Sequence, residues 1–214
     1  MGMFTLKKYF GVFLSIILLL LTMLSCSTVP ILHVNYRVPN KTNQLEGKRI
    51  FLEIRDSRSD KEIFGEGAKQ DFKNAPDTIS LSVAEGDEKG FKIGIFTVTD
   101  LMQEIFKERL TSIGLDVVTD INSKGSETEV IIDLQTFKLD LTKGTVKRTW
   151  TANMAYNVEI VDNGKAIATN KIRGKSEKMK IMFRKEADAL ISDLITDVAN
   201  RLDVDSLMRQ AGLI

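Results

Sequence analysis

Residues 150–165 read WTANMAYNVEIVDNGK, and their spacing decides the fold. Trp150, Ala152, Met154, Tyr156, Val158 and Ile160 occupy every second position, with Thr151, Asn153, Asn157 and Glu159 among the residues between them. Successive side chains of a strand point to opposite faces, so this alternation specifies a strand with one buried face and one wet face. Asp162-Asn163-Gly164-Lys165 then supplies residues that tolerate the left-handed backbone of a tight hairpin, so 165–174 is expected to return antiparallel. A sheet apolar on one face needs another layer to cover it.

Two segments have the spacing to form that layer. Val98, Leu101, Met102, Ile105, Leu110 and Ile113 fall on one side of a helix, while Gln103, Glu104, Lys107 and Glu108 fall largely on the other. Thr97 is placed to cap its start and Gly114 to stop it. Ala187, Leu190, Ile191, Leu194, Val198 and Leu202 form a second stripe in steps of three and four, and 204–211 reads as a short terminal helix. Further strands are expected at 48–54, 79–83, 115–118 and 128–141. In the last, Val130, Ile132 and Leu134 alternate, and the pattern resumes out of phase at Phe137, Leu139 and Leu141, which a bulge near Gln135 and Thr136 explains. The charged, glycine-containing stretch 56–77 reads as a long surface loop. The expected fold is α+β, a two-layer sandwich of a mainly antiparallel sheet with two main helices packed on one face. No internal repeat is evident.

The chain has 214 residues, 43% hydrophobic and 28% charged, as in an ordinary globular protein. Its one membrane-like stretch is at the front: Lys7 and Lys8, the apolar run 10–24, then Ser25-Cys26, the three-part layout of an export signal. That run is shorter than the roughly 20 residues a spanning helix needs. Cys26 is the only cysteine, so no intramolecular disulfide can form. Met23-Leu24-Ser25-Cys26 resembles the bacterial lipobox, although Met23 and Leu24 are bulkier than the commonest residues there. The resemblance implies diacylglycerol on Cys26, then cleavage before it and acylation such as palmitate. Ser27, where an aspartate would favour retention at the inner membrane, implies by resemblance to Gram-negative sorting rules an outer-membrane destination. The expected division is a signal peptide at 1–25, a lipidated tether at 26–46 and a single α+β domain at 47–214. Within the tether Leu32, Val34, Tyr36 and Val38 alternate as a short edge strand would.

Gly47-Lys48-Arg49-Ile50 opens a strand and Asp56-Ser57-Arg58 follows it; Leu110 to Leu115 ends a helix, and the Gly164 hairpin precedes a C-terminal helix. In this order the chain resembles the YajG-like family of small bacterial lipoproteins over most of the mature domain. The resemblance implies an outer-membrane lipoprotein with its domain in the periplasm. That family is largely without an assigned activity, so no catalytic residue is carried over.

Familiar catalytic patterns do not emerge. The single histidine, His33, falls in the expected tether, away from any nucleophile. Asp56, Asp60 and Glu62 cluster, but counting from Asp56 the positions that a calcium loop reserves for a carboxylate, a glycine and a glutamate hold Arg58, Lys61 and Gly67. An Asp56–Arg58 pair capping the loop is the simpler reading. Phe64-Gly65-Glu66-Gly67 lacks the Gly-Lys-Ser/Thr of a phosphate loop. The expectation is therefore a protein without catalytic residues, metal or cofactor, and not an enzyme. Charge is more informative: 138–185 holds twelve Lys and Arg against four acids, whereas 186–214 holds two against six. Lys178, Lys180, Arg184 and Lys185 are the candidate surface for an anionic partner: lipid, lipopolysaccharide phosphate, peptidoglycan carboxylate or an acidic envelope protein. A merely solvated strand face stands as the plainer alternative. Nucleic acid is not expected, for want of any recognition motif. The function expected is a lipid-anchored, non-enzymatic binding or accessory protein. Two alternatives remain: a carboxylate-based cell-wall glycan-processing enzyme, marked by facing carboxyl groups in a cleft, and an accessory subunit of lipid or lipopolysaccharide transport, marked by an apolar groove between sheet and helices.

Overall fold

The computed structural model describes residues 31–86, 90–120, 122, 128–144, 147–180 and 185–214. The alternating strand is β7 (Arg148–Asp162), flanked by β6 (Thr128–Lys143) and β8 (Lys165–Lys180), each antiparallel to it. Asn163 and Gly164 have φ of 50° and 74°, both left-handed, which matches the right-handed twist of the two strands they join. The return strand runs past residue 174, to Lys180. The pairing of β6 with β7 shifts between Leu134 and Thr136, so a bulge changes the phase where the apolar pattern slips. β2 (Arg49–Asp56) runs parallel to β6 and to the short β5 (Asp116–Val118), completing a five-stranded sheet in the order β5-β2-β6-β7-β8.

One face of this sheet is covered by α2 (Val98–Thr111) and α3 (Lys185–Asn200). Thr97 Oγ1 accepts the Asp100 N–H at 3.3 Å, and Gly114, with φ of 97°, turns the chain out of the helix. Phe106 of α2 meets Tyr156 of β7 edge to face with centroids 4.9 Å apart, and the Tyr156 hydroxyl donates to the Val198 carbonyl at 3.0 Å. The fold is α+β, and its two long ladders are antiparallel. α4 (Val204–Gln210), capped by Asp203, follows α3.

A second sheet, in the order β1-β3-β4, joins the helical side of the molecule. β1 (Leu32–Val38) is parallel to β3 (Ile79–Glu85), which is antiparallel to β4 (Phe91–Phe96). Leu32, Val34, Tyr36 and Val38 are no more than 3% exposed, so β1, within the stretch expected to be a tether, packs into the core. The outer edge of β1 is closed by side chains of α3. The His33 N–H donates to Asp188 Oδ1 (3.0 Å), the Asn35 N–H to Ser192 Oγ (2.9 Å) and the Arg37 N–H to Thr196 Oγ1 (3.3 Å). Asn200 ends the ladder, donating from Nδ2 to the Arg37 carbonyl and accepting from the Tyr36 hydroxyl. Two strand residues advance about 6.6 Å and four helix residues about 6 Å, so polar residues at every fourth helical position meet every second strand amide.

The stretch after β2, expected to be a surface loop, is packed. Ile63, Phe64, Ala68 and Phe72 are buried, with α1 (Glu66–Lys69) in their midst. Phe64 stacks on Phe72 at 4.4 Å, and Phe72 meets Trp150 edge-on at 6.1 Å. This excursion continues the edge of β6 where β2 leaves it: the Ser57 N–H donates to Leu134, the Leu139 N–H to Ile63, and the Gly65 N–H to Leu139. The approach is close enough to require glycine, since a Cβ on Gly67 would lie 1.7 Å from the Leu141 carbonyl oxygen.

Candidate functional site

Strand alternation sends Lys171, Arg173 and Lys175 of β8 to the face away from the helices. In the register, Lys175 lies across Asn153, itself across Lys138; Arg173 lies across Ala155 and Thr136; Lys171 lies across Asn157 and Asp133. Beside the β6 bulge this face holds an open hollow of about 450 Å³, whose lining includes Gln135, Thr136, Asn153, Lys171, Arg173 and Lys175. The three cations are exposed and recur at steps of about 6.6 Å along one strand. Lys175 is 3.7 Å from Glu177, and Lys138, outside the lining, is held by Asp60 at 2.6 Å. Side-chain amides and a hydroxyl between cations suit phosphate or carboxylate groups, which accept several hydrogen bonds at once.

The residues singled out from sequence fall elsewhere. Cys26 and Arg184 lie outside the described residues, as does the signal at 1–25. Lys178 lies across from Trp150, on the helix-side face near the end of β8; Lys180 pairs with Arg148 in the ladder, and Lys185 opens α3. The basic run is thus divided between two faces of one strand. A count of charges along the chain does not separate Lys171, Arg173 and Lys175 from their neighbours; the pairing of β8 with β7 does.

His33 sits in β1, with Nδ1 3.2 Å from Ser80 Oγ. Asp188 is adjacent, and its Oδ1 accepts the His33 backbone N–H. Ser80 is 7% exposed. The contacts hold β1 to β3 and α3.

The three acids weighed as calcium ligands each have their own cation. Asp56 receives Arg58 in a two-point pair, Nε to Oδ1 and Nη2 to Oδ2, both 2.9 Å, and Lys61 at 3.1 Å. These donors hold its carboxyl down to about 2, with the Arg58 hydrogen bonds the main cause. Arg58, 5% exposed, also reaches the Phe137 carbonyl, so the pair closes the β6 edge beyond the bulge. Asp60 binds Lys138, which lowers its carboxyl pKa, and Glu62 binds Lys69 at 2.8 Å. Among the described residues no group of three metal-ligating side chains is assembled. Between helices and sheet, Leu101, Ile105, Phe106, Leu194 and Val198 are each at most 2% exposed. No described helix is long and apolar enough to cross a membrane.

No family model matches the sequence, and no curated protein matches it. Solved structures with some likeness include a Xanthomonas campestris protein, with TM-score 0.48 and 11% identity over 84% of this chain and 96% of that one. A minor lipoprotein from Acinetobacter baumannii gives 0.40 and 11% identity over 77% and 91% of the two chains. Rare lipoprotein B from Shewanella oneidensis gives 0.38 and 12% identity over 76% and 98%. Two of these three are lipoproteins by name; likeness at this level assigns no activity to the present chain.

Proposed function

We propose that this chain is a lipid-anchored bacterial envelope lipoprotein, acylated at Cys26 and held at the periplasmic side of the outer membrane, that acts as a non-enzymatic binding or accessory protein. The observation that carries the reading is the export signal whose apolar run ends at Ser25-Cys26, the only cysteine in the chain. Acyl chains there enter the bilayer at about 0.8 kcal/mol per buried methylene, and two or more hold stably where one does not. Ser27 directs the lipoprotein outward, and the resemblance to YajG-like lipoproteins points the same way. Metabolic labelling with an alkyne-bearing palmitate tests the anchor: the wild type takes up label, whereas Cys26→Ala accumulates as unlabelled precursor. Normal maturation of that variant would remove the reading.

The binding surface in this reading is the hollow with Lys171, Arg173 and Lys175, and its ligand is the phosphate or carboxylate of an envelope component such as lipopolysaccharide or peptidoglycan. Lys178, Lys180, Arg184 and Lys185, which run in sequence from the end of β8 to the start of α3, are the second candidate set. Purified acylated protein is tested for co-sedimentation with peptidoglycan sacculi and for capture of lipopolysaccharide, across salt concentrations. Lys171→Ser with Arg173→Ser is expected to weaken binding to one of these and to flatten its salt dependence, more than serine at the four junction positions does. Retention unaffected by salt and by both sets of substitutions rejects an anion-binding role.

A further inference from the structure

β4 is the outer strand of the three-stranded sheet, and it carries its large apolar side chains in the open. Phe91, Ile93 and Ile95 are 79%, 44% and 49% exposed, within a strand of six residues that also contains Lys92. Ile95 lies across Ser80, on the face away from the core, and Ile93 is the extra residue where the register shifts between Leu81 and Ser82; past that shift Lys92 lies across Ser82 on the outer face, while Phe91 lies across Val83 and leaves the edge on the other side. An exposed apolar row of this kind marks a contact surface. Two features discourage another strand from adding there: the bulge interrupts the row of amides, and a lysine sits on the edge. What the row suits is a surface without register.

The chain entry shows which surface lies near. β1 starts at Leu32, whose register partner in β3 is Ile79, and Ile79 in turn pairs with Phe96 of β4. Ile95 therefore lies about two strand spacings, some 10 Å, from the level at which the chain enters the body. Cys26 is six residues before Leu32, a stretch of chain that spans at most about 20 Å. An acyl group on Cys26 thus holds this end of the small sheet against the bilayer. Ile31, 38% exposed, continues the apolar margin at the entry point. Large apolar side chains beside a lysine are a composition that settles into a headgroup region, with the cation among the phosphates.

We propose that β4, through Ile93 and Ile95 with Lys92, rests in the surface of the bilayer to which Cys26 is anchored, so that the body is oriented on the membrane and does not swing on its tether. This rests on the anchor reading above, and one experiment separates the two. Acylated full-length mature protein is reconstituted in phosphatidylethanolamine–phosphatidylglycerol vesicles containing nitroxide-labelled lipid, and a thiol-reactive environment-sensitive fluorophore is attached to Ile93→Cys, Ile95→Cys or, as control, Thr169→Cys on the outer face of β8. Acylation blocks Cys26, so wild type takes up no dye; dye on wild type overturns the anchor reading itself. With wild type unlabelled, blue-shifted emission quenched by the nitroxide at 93 and 95 but not at 169 is the expected result. Equal quenching at all three positions, or none at 93 and 95, overturns the orientation. Energy transfer between copies that depends on protein density, without lipid quenching, assigns the row to a second copy and overturns it as well. Thermal unfolding of each labelled variant confirms that the body remains folded.

Discussion

The two edges of the small sheet are treated in opposite ways. On the β1 side, Asp188, Ser192, Thr196 and Asn200 accept or donate hydrogen bonds along the strand, and the edge is closed by a helix. On the β4 side no described strand follows, and isoleucines stand exposed. The large sheet repeats the first device: past the end of β2, the edge of β6 is closed by residues 57–65 and by the guanidinium of Arg58. The lesson is that an edge inside the body needs its backbone groups satisfied by something, while an edge left open has its register broken and its side chains turned into a surface. By this contrast, substitutions at closed edges cost more stability than those at the open edge.

The largest effect is expected at Arg58. Arg58→Met keeps much of the side-chain bulk but removes both guanidinium hydrogen bonds to Asp56 and the one to Phe137, leaving from this residue only the backbone N–H on Asp56 Oδ1. Removing one partner of a buried pair costs about 3–5 kcal/mol; since Asp56 is 19% exposed and keeps Lys61, the lower end, about 3 kcal/mol, applies here. For a domain of this size that lowers Tm by roughly 6–12 °C. A fall of only a degree would mean that the edge of β6 holds without the pair.

Acid provides a second measure of the same closure. The Asp56 carboxyl lies at about 2 in the folded protein, below its ordinary 3.8. A depressed folded value stabilises the fold above the unfolded pKa, and that contribution is lost as pH falls from about 4 towards 2. The shift is worth at most about 2 kcal/mol. Denaturant unfolding at pH 5 and pH 2.5 should show part of this loss in wild type and a smaller one in Asp56→Asn; identical slopes would disconnect the pair from acid sensitivity.

On the other closed edge, Ser192→Ala leaves the Asn35 N–H without its acceptor. A partly buried amide so orphaned costs about 1–3 kcal/mol. The Asn35 amide should then exchange with solvent faster than in wild type, while amides at the centre of β7 keep their protection. Uniform acceleration would indicate global loosening and not an opened edge.

These contacts explain which parts of the molecule could be foreseen. β7, its hairpin and the apolar stripes of α2 and α3 are local patterns, and a period is readable from one segment at a time. The β6 bulge was legible as a slip of phase at Gln135. β1 showed its alternation, but its place in the core depends on polar residues of α3 that lie more than 150 positions away. The parallel pairing of β2 with β6 has no signature in the period of either strand. Phe64, Ala68 and Phe72 do stand four apart, but Glu62, Glu66, Lys69 and Asp71 dilute the signal, so the stretch reads as solvent-facing. In the candidate site, counting cations from 138 to 185 treated β8 as one surface. Strand alternation makes it two, and Lys171, Arg173 and Lys175 emerged only once β8 was paired with β7.

The smallest effect is expected at the open edge. Ile93 and Ile95 are 44% and 49% exposed, so Ile93→Ser and Ile95→Ser each give up only about half of a buried side chain's contribution and should shift stability by about 1 kcal/mol. That small number carries weight because the same change at Val34, fully buried in β1, would leave a cavity and a buried hydroxyl and cost several times more. Paired melting curves of Ile95→Ser and Val34→Ser in detergent, away from any bilayer, make the comparison directly. A loss at Ile95 approaching that at Val34 would mean that β4 is held by packing within the folded body, and the edge would then be a closed one like the others.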